Sequence, residues 1–262
     1  MRFAELVEIA KKSAKLAGEG IIEIYNTADF GVETKSDNSP LTLADKQAHL
    51  TIVKYLESTN LPILSEEGRS IPYEERKNWE TFWMVDPLDG TKEFIQRNGE
   101  FTVNIALMQH NQPIFGVVYA PVSGQLFFGG TALGYAAVKE GETTRRLTTL
   151  PRRNMQALQQ TKNTNVISSR FHQNQETTDF VQQFDQPCLV TMGSSLKFML
   201  LAQGNADVYP RFAPTMEWDT AASDAILRAL TSGIYQCNAA NDATIPLEYN
   251  KHYLLNPSFI AY

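Results

Sequence analysis

The chain has 262 residues, 43% of them apolar and 20% charged, with a formal net charge of −6. These proportions describe a globular chain, long enough for one large core or two closely packed units. The acidic balance and the lack of a basic face argue against a nucleic-acid polymer as partner, and no apolar run approaches the ~20 residues that a membrane-spanning helix needs.

Phe3, Leu6, Ala10, Ala14, Ala17, Ile21 and Ile24 step by three or four, which predicts a packing helix over 3–25. The segment Met1–Glu5 has no signal-peptide core, so a cytoplasmic protein is expected. Cys188 and Cys237 lie in no CxxC pattern and predict buried, reduced thiols. A polar stretch over 30–40 leads to a second helix from about Thr42 to Ser58, with Leu43, Leu50, Val53 and Leu56 facing inward. Asp45 falls in its first turn, where an acid suits the helix dipole or serves chemistry. His49 reads as a surface or packing residue. Leu61–Leu64 predicts a short strand ending in Glu66 and Glu67, acids that are either solvated or ligands. Residues 69–80 read as an exposed loop or short helix.

The stretch Thr81–Val85 is apolar and aromatic and predicts a buried strand that stops where Pro87 fixes its own φ. Asp86 and Asp89 then stand three residues apart on a stiffened bend, before Gly90 and Thr91 open a helix. An ordinary Asp-Gly turn is one reading. The other is a divalent cation held by the carboxylates beside free amides that take a phosphate. Alternation at Phe101, Val103, Ile105 and Leu107 predicts a half-buried strand, returning over 114–119, with further strands over 124–129 and 135–138. One antiparallel sheet with flanking helices thus accounts for 1–150. Residues 151–164 form the candidate boundary. Over 151–262, strands (165–168, 189–192, 207–209) alternate with helices (174–184, 195–203, 220–230), an α/β half. Asp219, ahead of Ala221 and Ala222, reads as an N-cap or as another metal carboxylate.

Four segments, Thr42-x-x-Asp45, Glu66-Glu67, Asp86-Pro-Leu-Asp89-Gly-Thr91 and Trp218-Asp219-x-Ala-Ala, together resemble the inositol monophosphatase superfamily of metal-dependent, lithium-sensitive phosphatases. Gly90-Thr91-Lys92-Glu93-Phe94-Ile95, the run Asn98–Leu107, Gly193-Ser194-Ser195-Leu196-Lys197-Phe198, Tyr209-Pro210-Arg211-Phe212 and Leu255-Asn256-Pro257 look like its CysQ-type 3′(2′),5′-bisphosphate nucleotidase branch. The Thr-x-Asn-Phe typical of inositol monophosphatases after the glycine is absent, and the 139–165 region matches no motif.

The resemblance implies an α/β fold, a layered αβαβα sandwich like that of inositol monophosphatase and fructose-bisphosphatase, with the site between two halves. It implies hydrolysis of adenosine 3′,5′-bisphosphate in connection with sulfate assimilation. The same chemistry on inositol monophosphate or fructose 1,6-bisphosphate is the near alternative, and a non-catalytic nucleotide sensor the distant one. It also implies two Mg²⁺, with a third, looser ion at Glu66. Asp86 bridges the two, Glu66 and the Leu88 carbonyl complete the first site, and Asp89 and Asp219 the second. Thr91, backed by Asp45, activates the attacking water. The Gly90 and Thr91 amides hold the scissile phosphate, either Lys197 or Arg211 holds the second one, and Ser194 and Ser195 add hydroxyl or amide contacts, each cation having surface charge as its plain reading. Arg170 is a weaker candidate. Attachment to the inner face of a bacterial inner membrane is seen in some such proteins, but no amphipathic anchor is evident.

Overall fold

The structure is a computed structural model and describes residues 1–27, 31–34, 40–151, 154–169, 174–237 and 243–262. Arg170 lies outside the described residues. Helix α1 (Phe3–Tyr25) buries Val7, Ala10, Ala14, Ala17 and Ile21 along one stripe, as its apolar period predicts. The short pair β1 (Glu33–Thr34) and β2 (Pro40–Leu41) precedes α2 (Leu43–Leu56), which Thr42 caps by accepting the Ala44 N–H. The expected inward face of α2 is wrong at two positions. Leu43 and Leu50 are 49% and 64% exposed. The buried stripe is Ala44, Ala48, Ile52 and Leu56 with Asp45 beside it, so bringing the acid inward turns those leucines out.

The first sheet has the order β3-β4-β5-β6-β7-β8-β9. It is built from β3 (Ile63–Ser65), β4 (Thr81–Asp89), β5 (Thr102–Gln109), β6 (Gln112–Ala120), β7 (Gln125–Gly130), β8 (Tyr135–Glu140) and β9 (Thr143–Arg146). It is antiparallel except at its edge, where β3 runs parallel to β4. Helices α3 (Tyr73–Arg76) and α4 (Thr91–Ile95) lie on either side of β4 in the chain. Two sequence expectations change here. Strand β4 does not stop at Pro87 but continues to Asp89, its pairing with β5 breaking register between Asp86 and Asp89. Strand β5 is buried on both faces, because helices cover both sides of the sheet.

Beyond α5 (Met155–Gln160) come β10 (Asn165–Ser169), α6 (Gln175–Val181), β11 (Cys188–Met192), α7 (Leu196–Ala202), β12 (Tyr209–Arg211) and α8 (Glu217–Arg228). The strands β13 (Ile234–Cys237), β14 (Ala243–Pro246) and β15 (Phe259–Ala261) follow. A second sheet has the order β12-β15-β13-β14. The parallel pair β10-β11 joins its edge through a bridge from Val166 to Val208. The cysteines differ from expectation: Cys188 is exposed and Cys237 half-buried, both as free thiols. Burial still pushes the Cys237 thiol up to about 12.

Three apolar clusters glue the layers. One packs α1 and α2 against Trp83, Val85, Val103, Ile105 and Val117 of the first sheet. A second joins the other face, at Phe82, Met84, Ala106 and Met108, to α7, α8 and the second sheet. The third fills the outer face of that sheet beneath Leu158 of α5 and Phe180 of α6. The order of layers is therefore α, β, α, β, α. Among the described residues no helix is long and apolar enough to cross a membrane.

Candidate active site

Strand alternation aims the acids. On β4, Trp83 and Val85 face α1 and α2, while Phe82 and Met84 face α8. Asp86 continues the second set and points toward the start of α8. There Asp219 sits in the first turn, not at the N-cap that the sequence suggests, and accepts the Met216 N–H at 2.8 Å. Glu66 follows directly on β3, beside β4. Carboxylate oxygens of Glu66, Asp86 and Asp219 lie within 4.8 Å of one another. Burial, then the charges of Glu66, Asp89 and Asp219, hold the Asp86 carboxyl well above its ordinary value. Burial, then Asp89 and Glu66, does the same to Asp219. Three converging carboxylates repel, and an all-oxygen set suits a hard divalent cation, with no cysteine or histidine to favour zinc.

Asp89 stands beside this group with its Oδ2 engaged elsewhere. Ser194 and Ser195 donate their hydroxyls to that oxygen at 2.7 and 2.8 Å. Both serines, read from the sequence as substrate contacts, line the cavity with their hydroxyls on Asp89, and Ser195 Oγ also lies 3.1 Å from the Asp219 carbonyl oxygen. The Leu88 carbonyl lies 3.4 Å from Thr91 Oγ1, and the Leu88 N–H is bound to Asp86 Oδ1 at 3.1 Å. Gly90 adopts φ +91°, a conformation that needs glycine, and its neighbours crowd the space a Cβ would take.

Asp45 and Thr91 meet from different elements. Thr91 Oγ1 donates to Asp45 Oδ1 at 3.1 Å, while Oδ2 takes both the N–H and the hydroxyl of Thr42 at 2.7 and 2.6 Å. Burial raises the Asp45 carboxyl, against the lowering effect of the Thr42 hydrogen bonds.

These groups open onto a cavity of about 250 Å³ whose lining includes Glu66, Asp89, Gly90, Thr91 and Asp219. Lys197 and Arg211, 7% and 8% exposed, line it too. Arg211 donates to the Ala213 and Pro214 carbonyls, which hold its guanidinium in place. Lys197 Nζ lies 5.5 Å from the Tyr209 ring centre.

Sequence reasoning missed several groups. Glu93, 9% exposed, lines the cavity between Gly90 and Gly193, and burial raises its carboxyl. Asn104 and Thr102 are buried beneath Asp89. Arg76, in a segment read as exposed, is 2% exposed and donates to Asn250 Oδ1 and the His252 carbonyl. Glu217, fully buried, accepts the Asn250 and Lys251 N–H groups and Lys251 Nζ, fixing the start of α8. The signal for Glu217 was available, as a charge between Met216 and Trp218 on the helix that carries Asp219.

Residues 3–258 match the model of the inositol monophosphatase family. The chain belongs to that family. It is a phosphatase, and its fold is that family's layered α/β sandwich. It is 41% identical over 250 residues to the 3′(2′),5′-bisphosphate nucleotidase CysQ of Shigella flexneri, covering 94% of this chain and 95% of that protein. The same coverage holds, at 40% identity, for CysQ of Escherichia coli K12. The crystal structure of CysQ from Bacteroides thetaiotaomicron superposes with a TM-score of 0.83 at 43% identity, over 99% of this chain and 97% of that one.

Proposed function

We propose that the protein is a Mg²⁺-dependent 3′(2′),5′-bisphosphate nucleotidase that hydrolyses adenosine 3′,5′-bisphosphate to AMP and phosphate. The observation that carries this reading is one cavity whose lining combines converging carboxylates with two buried cations, Lys197 and Arg211. A monophosphate of a neutral sugar would leave those cations unused, whereas a substrate with a second phosphate engages them. The similarity to proteins named as such nucleotidases supports it.

Glu66, Asp86, Asp89, Asp219 and the Leu88 carbonyl are the groups that would hold the cations. When bound, Mg²⁺ neutralises phosphate oxygens and acidifies water. The chain's own residues divide the remaining work. Thr91 directs its proton to Asp45 Oδ1, so the lone pairs of Thr91 Oγ1 are left to accept a proton from an attacking water. As Thr91 takes that proton it passes its own to Asp45, whose burial makes it a better base than an exposed aspartate. The amides of Gly90 and Thr91 bind the scissile phosphate. Lys197 and Arg211 bind the second phosphate and orient the 3′ ester for in-line attack. Lithium inhibition belongs to the same reading.

The test compares phosphate release from adenosine 3′,5′-bisphosphate, inositol monophosphate and fructose 1,6-bisphosphate at equal Mg²⁺. The nucleotide is the expected preferred substrate, by kcat/KM. Preference for either sugar phosphate would refute the assignment, and binding of the nucleotide without turnover would favour a sensor.

A further inference from the structure

Strand β5 places Val103, Ile105 and Leu107 toward α1 and α2, and Ala106 and Met108 toward α7 and α8. Asn104 belongs to the second set and is 1% exposed. A buried amide at an apolar position is costly unless its hydrogen bonds are made. Every bond that the Asn104 side chain makes lies in one cluster around Asp89. Its Nδ2 donates to Ser195 Oγ at 2.9 Å and to Asp89 Oδ2 at 3.4 Å, and its Oδ1 accepts from Thr102 Oγ1 at 2.9 Å. Thr102 Oγ1 is also 2.8 Å from Ser194 Oγ. Ser194 itself holds φ +52°, an unfavourable conformation for a residue with a side chain, and this sets its hydroxyl against Asp89.

The donors all converge on one oxygen. Asp89 Oδ2 is reached by Ser194, Ser195 and Asn104, while no donor among the described residues reaches Oδ1. Two of these donors come from the start of α7 and one from the first sheet, so two elements distant in the chain share the grip. A carboxylate held in this way offers one oxygen to a cation. Mg²⁺ accepts single oxygens in a tight octahedron, whereas Ca²⁺ is larger and readily takes both oxygens of a carboxylate.

We propose that Asn104 is a positioning residue which, with Ser194 and Ser195, occupies Asp89 Oδ2, restricts Asp89 to one-oxygen ligation and thereby favours Mg²⁺ over Ca²⁺. The inference rests on the metal-site reading given above. It is tested without turnover, by titrating MgCl₂ and CaCl₂ into metal-free protein and reading dissociation constants from the rise in Tm. The proteins compared are wild type, Asn104→Leu, Ser195→Ala and Asp89→Asn. In the first two variants Mg²⁺ binding is expected to weaken about tenfold and Ca²⁺ binding less, so that preference shifts toward Ca²⁺. Ser195→Ala removes one hydroxyl and stands in if Asn104→Leu does not fold. Equal weakening of both ions, or none in a folded variant, overturns the proposal. If Asp89→Asn loses Mg²⁺ while the other variants match wild type, only the positioning role fails. If wild type binds no Mg²⁺, or Asp89→Asn binds it as wild type does, the metal site itself fails and the inference falls with it.

Discussion

Asp45 uses its two oxygens differently. Oδ2 is committed to the helix start through Thr42, and Oδ1 faces the Thr91 hydroxyl. The first is the structural role that any acid in a first turn can have, and the second requires Thr91 to arrive from β4 with the right spacing. Asp45→Asn keeps one acceptor, for the two Thr42 donors, sets an NH₂ against the Thr91 hydroxyl, and cannot take a proton at neutral pH. Steady-state kinetics should show kcat reduced by about 10²–10⁴-fold, with the Mg²⁺-dependent rise in Tm unchanged. An equal loss of Mg²⁺ binding would place Asp45 among the ligands instead. At this scale the acids on and around the bend were legible, because Pro87 and Gly90 constrain the backbone between and after them. Asn104 was not, because on a strand read as half-buried a polar residue at alternate positions looks solvated. Only the second helical layer, supplied some 90 residues later by α7, buries it.

Helix α8 lies across the first sheet at Gly116 of β6. A Cβ there would stand 2.1 Å from the Ala222 carbonyl oxygen, so the helix rests on bare backbone. The small residues Ala221, Ala222 and Ala225 allow the same approach from the helix side. Gly116→Ala is expected to push α8 away, costing about 1–3 kcal/mol by urea unfolding. It should also weaken Mg²⁺ binding, since Asp219 lies one turn from Ala222. Unchanged Mg²⁺ affinity in a destabilised protein would uncouple helix seating from the site. The sequence marks this close approach through its run of small residues, yet it places the helix start three residues late. The true start follows from Glu217, whose partners near residue 250 are invisible locally. The phase of α2 was misread for a related reason. Its leucines look like the better buried face, but tertiary contact with Thr91 requires Asp45 inside.

Across the molecule, folding gathers Glu66, Asp86 and Asp219 from β3, β4 and α8, and the energetic consequence depends on pH. Asp86 and Asp219 have folded-state carboxyls raised above the ordinary 3.8. Above that value the unfolded chain releases their protons while the folded, metal-free form retains them, so stability is lost as pH rises through the window toward the folded values. Asp86→Asn removes one such group. In chelator, its Tm should exceed that of wild type at pH 7.5, and the advantage should vanish as pH falls below about 4. With Mg²⁺ present the order should reverse at pH 7.5, because the variant lacks one of the proposed ligands. A variant less stable than wild type in chelator at pH 7.5 would contradict the repulsion argument. The alternation of strand and helix signals gave a sheet with helices in each half, while the layer order came from the family resemblance alone. The partners of Arg76 were not legible, since they lie 174 and 176 residues away in a segment with no regular structure.

Strand β15 follows every other strand in the chain, yet it lies between β12 and β13. Residues 250–252, just before it, are the ones gripped by Arg76 and Glu217. The second sheet and the seat of α8 therefore depend on residues 250–261, which follow every acid of the site in the chain. A chain cut at residue 249 would keep all the acids and lose the contacts that seat them.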